Sequence, residues 1–185
     1  MAATAAPPAY AGIVQRTTVE DVRIAWARTP SDARRDTGRA LIRALAAELA
    51  PGADLRFEQR CVVCGGPHGR LVLPAAPVIV SVAYAEPWVV VAVAREQDAR
   101  TLGIDAEREG VAPDLGALFA PADPPDLRGW TAIEAALKAD GRGLLIAPDR
   151  VRLGDGRATV PGGAAFRVIP VPAAPGLIVT LALSP

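Results

Sequence analysis

The chain has 185 residues, of which 51% are hydrophobic and 22% charged, so it can bury enough apolar surface to form an ordered globular domain. Its 20 basic and 20 acidic residues balance, and only 4% of residues are aromatic. This composition excludes a general excess of positive charge and offers few stacking platforms, so we expect no nucleic-acid partner.

The order of apolar runs and turn signals predicts two groups of strands, each with one long helix. The first helix is predicted to begin at a Ser31 N-cap and to end at Pro51, and the second to run from Asp126 to Gly141. Residues 109–125 are predicted to be a connection with at most a short helix. Strands are predicted at residues 12–18, 21–27, 55–59, 78–85, 88–95, 101–107, 150–153, 165–171 and 177–183. We therefore predict an α/β (α+β) fold of two pseudo-symmetric halves, residues 1–75 and 76–185, each a small, mostly antiparallel sheet with one long helix.

The apolar segment 72–94 raises the question of a membrane span. Glu86 and three prolines near its middle argue against one, and a buried hairpin fits the segment better. The first residues, 1–10, have neither the basic nor the apolar part of a signal peptide, and two cysteines cannot form a disulfide framework. We expect a cytoplasmic protein with no membrane association.

Asp105 and Glu107 stand two residues apart on a predicted strand, so their carboxylates should lie on the same face. A hard divalent cation such as Mg²⁺, which prefers oxygen ligands, would relieve their repulsion. The alternative is an exposed strand face whose acids pair with Arg100 or Arg108.

Trp130, Glu134 and Lys138 follow one another at intervals of four and should share one face of the second helix. Trp130 could simply anchor the helix beside an ordinary Glu–Lys ion pair. However, Lys138 is the only lysine in the chain, and Glu134 could supply a third oxygen to an ion at the strand acids. A lysine in this arginine-rich chain suggests a need for a compact, movable charge.

The segment 61–70 is predicted to be a loop that is exposed or faces a ligand. Its glycines, the only histidine His68, and Arg70 suit a loop that clamps a phosphate group, although such loops are also ordinary turns. Cys61, Cys64 and His68 offer at most three zinc ligands, and no second C-x2-C motif completes the set. A zinc site, a redox pair and two small apolar residues at a strand end all remain open.

The first helix carries a stripe of arginines. Arg35, Arg39 and Arg43 are four residues apart, so they form either a solvated helix face or a surface that meets a phosphate.

Four successive segments resemble the motifs of the Sfp-type 4'-phosphopantetheinyl transferases, over roughly residues 30–145. The two later segments match best, and they combine the strand acids with the Trp, Glu and Lys of the helix. The four segments are HGR at 68–70, SVAYAEPWVV at 81–90, LGIDAE at 102–107 and WTAIEAALKADGRGL at 130–144.

The resemblance implies transfer of the phosphopantetheine arm of coenzyme A to a serine of an acyl or peptidyl carrier protein, in a cleft between the two halves, by a protein expected to be a monomer. Mg²⁺ would be held by Asp105, Glu107 and Glu134, and Glu134 and Lys138 would be catalytic. The N-terminal half would hold the nucleotide of coenzyme A. The residues implied to bind coenzyme A are Arg35, Arg39, His68, Gly69, Arg70, Ala83, Tyr84 and Lys138.

The chain departs from the family pattern at three places. Ala83 and Tyr84 replace the usual Ser-His pair, Ile133 replaces a Lys, and Leu71 stands where Pro is usual. No implied metal ligand is lost. The alternative is therefore a non-catalytic or weakly active member that binds a carrier protein or coenzyme A.

Overall fold

The computed structural model describes residues 13–61, 64–111 and 113–184. The described chain is a mixed α+β structure with three antiparallel sheets and few helices. Residue 12, where the first predicted strand begins, and the segment 1–10 lie outside the described residues. Within the described ranges, every helix is too short or too polar to cross a lipid bilayer.

The first sheet has four strands in the order β1-β2-β6-β5. Its strands are β1 (Gln15–Val19), β2 (Val22–Arg28), β5 (Val78–Ala85) and β6 (Trp88–Arg95). Helix α1 (Arg34–Leu49) packs on one face of this sheet. Alternate β6 residues contribute to different core clusters, such as Val91 beneath α1 and Val90 on the opposite face. Burial of both faces explains why the predicted hairpin is an almost unbroken apolar run.

The second sheet has five strands in the order β7-β11-β10-β9-β8. Its strands are β7 (Leu102–Arg108), β8 (Arg152–Gly154), β9 (Arg157–Thr159), β10 (Ala165–Pro170) and β11 (Leu177–Leu183). Helix α3 (Leu127–Asp140) packs on it, and the short helix α2 (Gly116–Phe119) joins the same core cluster. A third, two-stranded sheet pairs β3 (Glu58–Gln59) with β4 (Leu71–Val72). Short 3-10 helices lie at Ser31–Ala33, Gly143–Leu145 and Pro148–Arg150.

A shared core joins the two larger sheets. Ile24 and Val90 of the first sheet belong to the same buried cluster as Ile104 and Leu181 of the second. The amide of Ile104 also donates a hydrogen bond of 3.0 Å to the Ser81 hydroxyl, which links β7 to β5. These contacts fix β7 relative to the first sheet, and β7 carries the strand acids.

Gly103 allows α3 to lie close to β7. A Cβ atom at this position would stand 2.0 Å from the Ala135 carbonyl oxygen and 2.5 Å from the Ala139 nitrogen, both in the backbone of α3. No larger residue fits without moving the helix. The sequence of β7 therefore sets the distance between this strand and the helix that carries Lys138.

Several predicted elements are confirmed. The hairpin strands and β11 have the predicted bounds, and α3 begins after an Asp126 N-cap that accepts a hydrogen bond of 2.7 Å from the Gly129 amide. The same helix ends at Gly141, whose φ of 90° is in the left-handed region that favours glycine. The short strands β4 and β9 are not predicted from the sequence.

The prediction that Ser31 caps α1 is wrong. The N-cap is Ala33, which makes no side-chain capping bond, and the Ser31 hydroxyl donates to Glu86 on the hairpin turn instead. A long-range partner has replaced the local one. The boundary predicted at residue 75 stays a prediction, and the four-stranded sheet contains strands from both sides of it.

Candidate active site

Strand β7 divides its side chains between two environments. Ile104 and Ala106 face the core between the sheets, while Asp105 and Glu107 share the face that carries α3. Asp105 is only 3% exposed. The alternating direction of the β7 side chains therefore buries the Asp105 carboxylate, which costs free energy unless a cation or a proton compensates its charge.

Lys138 compensates part of that charge. Its Nζ atom lies 2.6 Å from Asp105 Oδ1 and 3.2 Å from the Ile104 carbonyl oxygen. Trp130, two turns earlier on α3, donates through Nε1 to Glu107 Oε1 at 3.2 Å. Trp130 and Lys138 thus reach the two strand acids from one face of the helix, as their spacing predicts.

Glu134 lies between these two contacts on α3. Burial and the negative charge of Asp105 raise the pKa of Glu134 to about 7, and Lys138 opposes the shift. The Asp105 and Glu134 carboxyls can share a hydrogen bond only when one of them carries a proton. When both are ionised, the buried Oδ2 of Asp105 has no hydrogen-bond partner among the described residues.

Glu107 is half-buried, and its electrostatics follow the same pattern. Burial and the charge of Asp105 raise its pKa, while the Trp130 hydrogen bond and Lys138 lower it. The oxygens of Asp105, Glu107 and Glu134 do not form a group in which all lie within 4.8 Å of one another. A shared ion would therefore require side-chain movement or bridging water.

A cavity of about 970 Å³ lies beside this acidic group. Its walls come from α1, described residues of the segments 59–61 and 64–71, strand β5, and the end of α3 with the turn that follows it. Lys138 lines the cavity and also contacts Asp105, so it connects the two features.

The charge of the cavity wall has one sign. Among the described residues that line it, six are basic and none is acidic; the basic residues are Arg35, Arg39, Arg60, Arg70, Lys138 and Arg142. Burial lowers the pKa of Arg70. In the described ranges, neither Arg35, Arg60 nor Arg70 forms a salt bridge, so these guanidinium groups are available to an anion in the cavity.

Most of the residues that the resemblance implies for coenzyme A line this cavity. They are Arg35, Arg39, His68, Gly69, Arg70, Tyr84 and Lys138. Ala83 does not line it, because its side chain is 1% exposed and packs in the core between the sheets. Arg43 is also outside the lining, and its guanidinium lies 4.6 Å from the Phe57 ring centroid.

Among the polar residues of the cavity wall that the sequence interpretation missed are Arg60, Ser81 and Arg142. Arg142 follows α3, pairs with Asp140 at 2.6 Å and donates to the Pro161 carbonyl oxygen at 2.8 Å. Arg142 and Ser81 lie in two of the four motif segments, which is a usable signal, whereas Arg60 carries no local pattern that distinguishes it.

Comparison with known proteins finds no family model and no curated protein that match this chain. The chemistry of the site is therefore interpreted from its own residues. They form a basic cavity that meets, at Lys138, a buried group of acids with an excess of negative charge.

Proposed function

We propose that the protein is a Mg²⁺-dependent 4'-phosphopantetheinyl transferase, which moves the phosphopantetheine arm of coenzyme A to a serine of an acyl or peptidyl carrier protein. The observation that carries this proposal is the basic cavity that meets the buried acids at Lys138. The motif resemblance supports it independently of the cavity.

The cavity suits a ligand with several phosphates. Its volume of about 970 Å³ lies at the upper end of the range for small-molecule sites, which is roughly 300–1,000 Å³. Coenzyme A carries a pyrophosphate and a separate 3'-phosphate. The cavity places Lys138 on one element and Arg39 and Arg70 on others, so two separate anionic groups can each meet a cation.

The acidic group fits a divalent cation by its chemistry. Asp105 has a buried oxygen without a donor among the described residues, and burial together with repulsion from Asp105 raises the pKa values of Glu134 and Glu107. Oxygen ligands of this kind are those that Mg²⁺ prefers. Mg²⁺ held by Asp105, Glu107 and Glu134 would supply neutralisation of the pyrophosphate charge.

The reaction chiefly requires that the phosphate groups be positioned and that the serine hydroxyl lose its proton. The serine oxygen attacks the phosphorus that bears the pantetheine, the pyrophosphate P–O bond breaks, and 3',5'-ADP leaves with the electron pair. In our proposal Lys138 holds a phosphate oxygen and assists proton transfer, and the Glu134 carboxylate accepts the proton of the serine hydroxyl. Arg39 and Arg70 hold the nucleotide end.

The proposed function also gives a meaning to the arrangement of the two larger sheets and their helices. Each of the two larger sheets has one long helix on a face, and the cavity is lined by parts of both α1 and α3. We propose that these are two pseudo-symmetric halves and that the cavity is the cleft between them.

Two observations favour a second candidate, a binding module without transferase activity. Lys138 is already paired with Asp105, and Ala83 and Ile133 are buried apolar residues where the family has polar ones. Such a module would bind coenzyme A or a carrier protein without transfer.

The deciding experiment incubates the protein with coenzyme A, Mg²⁺ and several apo carrier proteins, and follows the carrier mass by mass spectrometry. We expect the mass of the phosphopantetheine arm to be added, with release of 3',5'-ADP. Coenzyme A binding without transfer to any carrier would instead support the binding module.

Matched variants assign the activity to the site. Asp105→Asn should abolish transfer, whereas Asp98→Asn, which removes an acid paired with Arg95 outside the cavity, should leave it unchanged. Equal activity of the Asp105→Asn variant and the original protein would refute the assignment.

A further inference from the structure

Cys61, Cys64 and His68 form a compact group on the loop between β3 and β4. One ligand atom from each lies within 4.8 Å of the others, and Cys64 Sγ is 3.0 Å from His68 Nε2. In the described parts of the chain, no other group of three His, Cys, Asp or Glu residues meets this distance. Cys64 is exposed, so it does not serve as a small apolar residue packed in a core.

The ligand set indicates the class of metal. Two thiolates and an imidazole suit Zn²⁺, whereas Mg²⁺ prefers oxygen, so this group and the acids on β7 would select different ions. Zinc bonds of about 2.3 Å to sulfur and about 2.0 Å to nitrogen hold tetrahedral ligand atoms roughly 3.5–3.8 Å apart. The observed separations require only small side-chain adjustments to reach that geometry.

The loop backbone holds the three side chains together. The Cys61 amide donates to the Gly66 carbonyl oxygen, and the Gly65 amide to the Cys61 carbonyl oxygen, each at 2.9 Å. A Cβ atom at Gly66 would lie 3.3 Å from Cys64 Sγ and 3.2 Å from His68 Cδ2. Glycine at this position therefore leaves room for the ligands to converge.

The group also forms part of the cavity wall. Cys61, Cys64 and His68 all line the cavity, and Arg60 and Arg70 border the loop at its two ends. Gly69, between the last ligand and Arg70, has a φ of 102°, a conformation that only glycine adopts without strain. An ion bound to the three side chains would restrict the loop that presents both arginines.

We propose that Cys61, Cys64 and His68 bind one Zn²⁺ ion, with water at the fourth position, and that this ion fixes the loop on which Arg60 and Arg70 meet the ligand of the cavity. The site is separate from the Mg²⁺ site of the proposed function. Its test does not depend on transferase activity.

The test loads the reduced protein with zinc, removes loosely bound metal by dialysis, and measures metal by mass spectrometry. We expect one zinc ion per chain. Replacement by Co²⁺ should give a thiolate-to-cobalt charge-transfer band, which identifies cysteine ligands directly.

Two single variants and one control test the ligand assignment. Cys64→Ser and His68→Ala should each weaken zinc binding by at least about 100-fold. Arg56→Ala, which removes an exposed arginine that pairs with Asp54 and precedes the loop, should keep full zinc occupancy. Circular dichroism of each variant checks that it is folded.

Hydrogen exchange then tests the effect on the loop. Zinc removal should speed exchange of the Gly65 and His68 amides and leave the β5–β6 hairpin unchanged. Absence of bound zinc in the reduced protein, zinc retained by both ligand variants, or a Cys61–Cys64 disulfide as the stable form in the presence of zinc would each overturn the proposal. Loss of transferase activity alone would bear only on the proposed function.

Discussion

Replacement of Glu134 by Gln should stabilise the metal-free protein at about pH 8 and have little effect at about pH 5. The pKa of Glu134 rises from an ordinary 4.5 to about 7 in the folded protein because the carboxyl is buried beside Asp105. Between these values the folded state binds more protons than the unfolded state. The free energy of unfolding therefore falls as the pH rises from 4.5 to about 7.

The size of the effect follows from the shift. Each pKa unit corresponds to about 1.4 kcal/mol, so full ionisation of Glu134 costs the folded state up to about 3 kcal/mol. Glutamine keeps the shape of the side chain and cannot ionise. At about pH 8 the free energy of unfolding of the variant should therefore be higher than that of the original protein, by up to about 3 kcal/mol.

Urea unfolding in the presence of a chelator, at both pH values, measures the difference. Glu20→Gln is the matched control of opposite sign, because the hydrogen bond from Arg167 lowers the pKa of Glu20. Because its lowered pKa keeps Glu20 ionised at both pH values, that variant should lose about the same stability at about pH 8 and at about pH 5, and should approach the original protein only as the pH falls below the ordinary value of 4.5. A change of stability for Glu134→Gln that is equal at both pH values would refute the raised pKa of Glu134.

Mg²⁺ extends the same test. If the ion binds the acids, it should stabilise the original protein more at the higher pH, where Glu134 is ionised, and should stabilise the Glu134→Gln variant less. An equal stabilisation of both proteins would exclude Glu134 as a ligand.

Three further predictions concern the neighbourhood of the site. Gly103→Ala should cost about 3 kcal/mol of stability, measured by urea unfolding, because its methyl group would collide with the Ala135 carbonyl oxygen; an unchanged stability would show that α3 shifts freely. Lys138→Arg should lower turnover by at least about 100-fold while the circular dichroism spectrum stays unchanged, because a guanidinium is larger than an ammonium and does not give up its proton. Full activity of this variant would show that Lys138 is only an ion-pair partner. Arg39→Ala should weaken the binding of coenzyme A about 10- to 100-fold in calorimetry, and should weaken the binding of dephospho-coenzyme A less. Arg43→Ala, outside the cavity, is the control, and equal losses of affinity for the two ligands would contradict a 3'-phosphate contact.

The elements that the sequence predicts best are those whose signals lie within a few residues. The Glu86-Pro87 turn between two apolar runs fixes the hairpin, and Asp126 and Gly141 mark the ends of α3 because capping depends on neighbouring backbone groups. The shared face of Asp105 and Glu107 likewise follows from the two-residue period of a strand. The Sfp-type transferase activity, the Mg²⁺ site and the two-half arrangement stay predictions.

Only the tertiary structure decides which of these local features meet. Ser31 has the residue type of an N-cap, yet its hydroxyl binds Glu86, which lies 55 residues away in the chain. Arg60 joins the cavity wall although no local pattern distinguishes it, and Ala83 turns into the core although its neighbour Tyr84 lines the cavity.

Lys138 reaches Asp105, 33 residues earlier, because Gly103 lets α3 lie against β7. Periodicity and capping determine the face on which each side chain lies, since both depend on nearby backbone geometry. The distance between faces depends on close packing of whole elements, to which residues far apart in the sequence contribute.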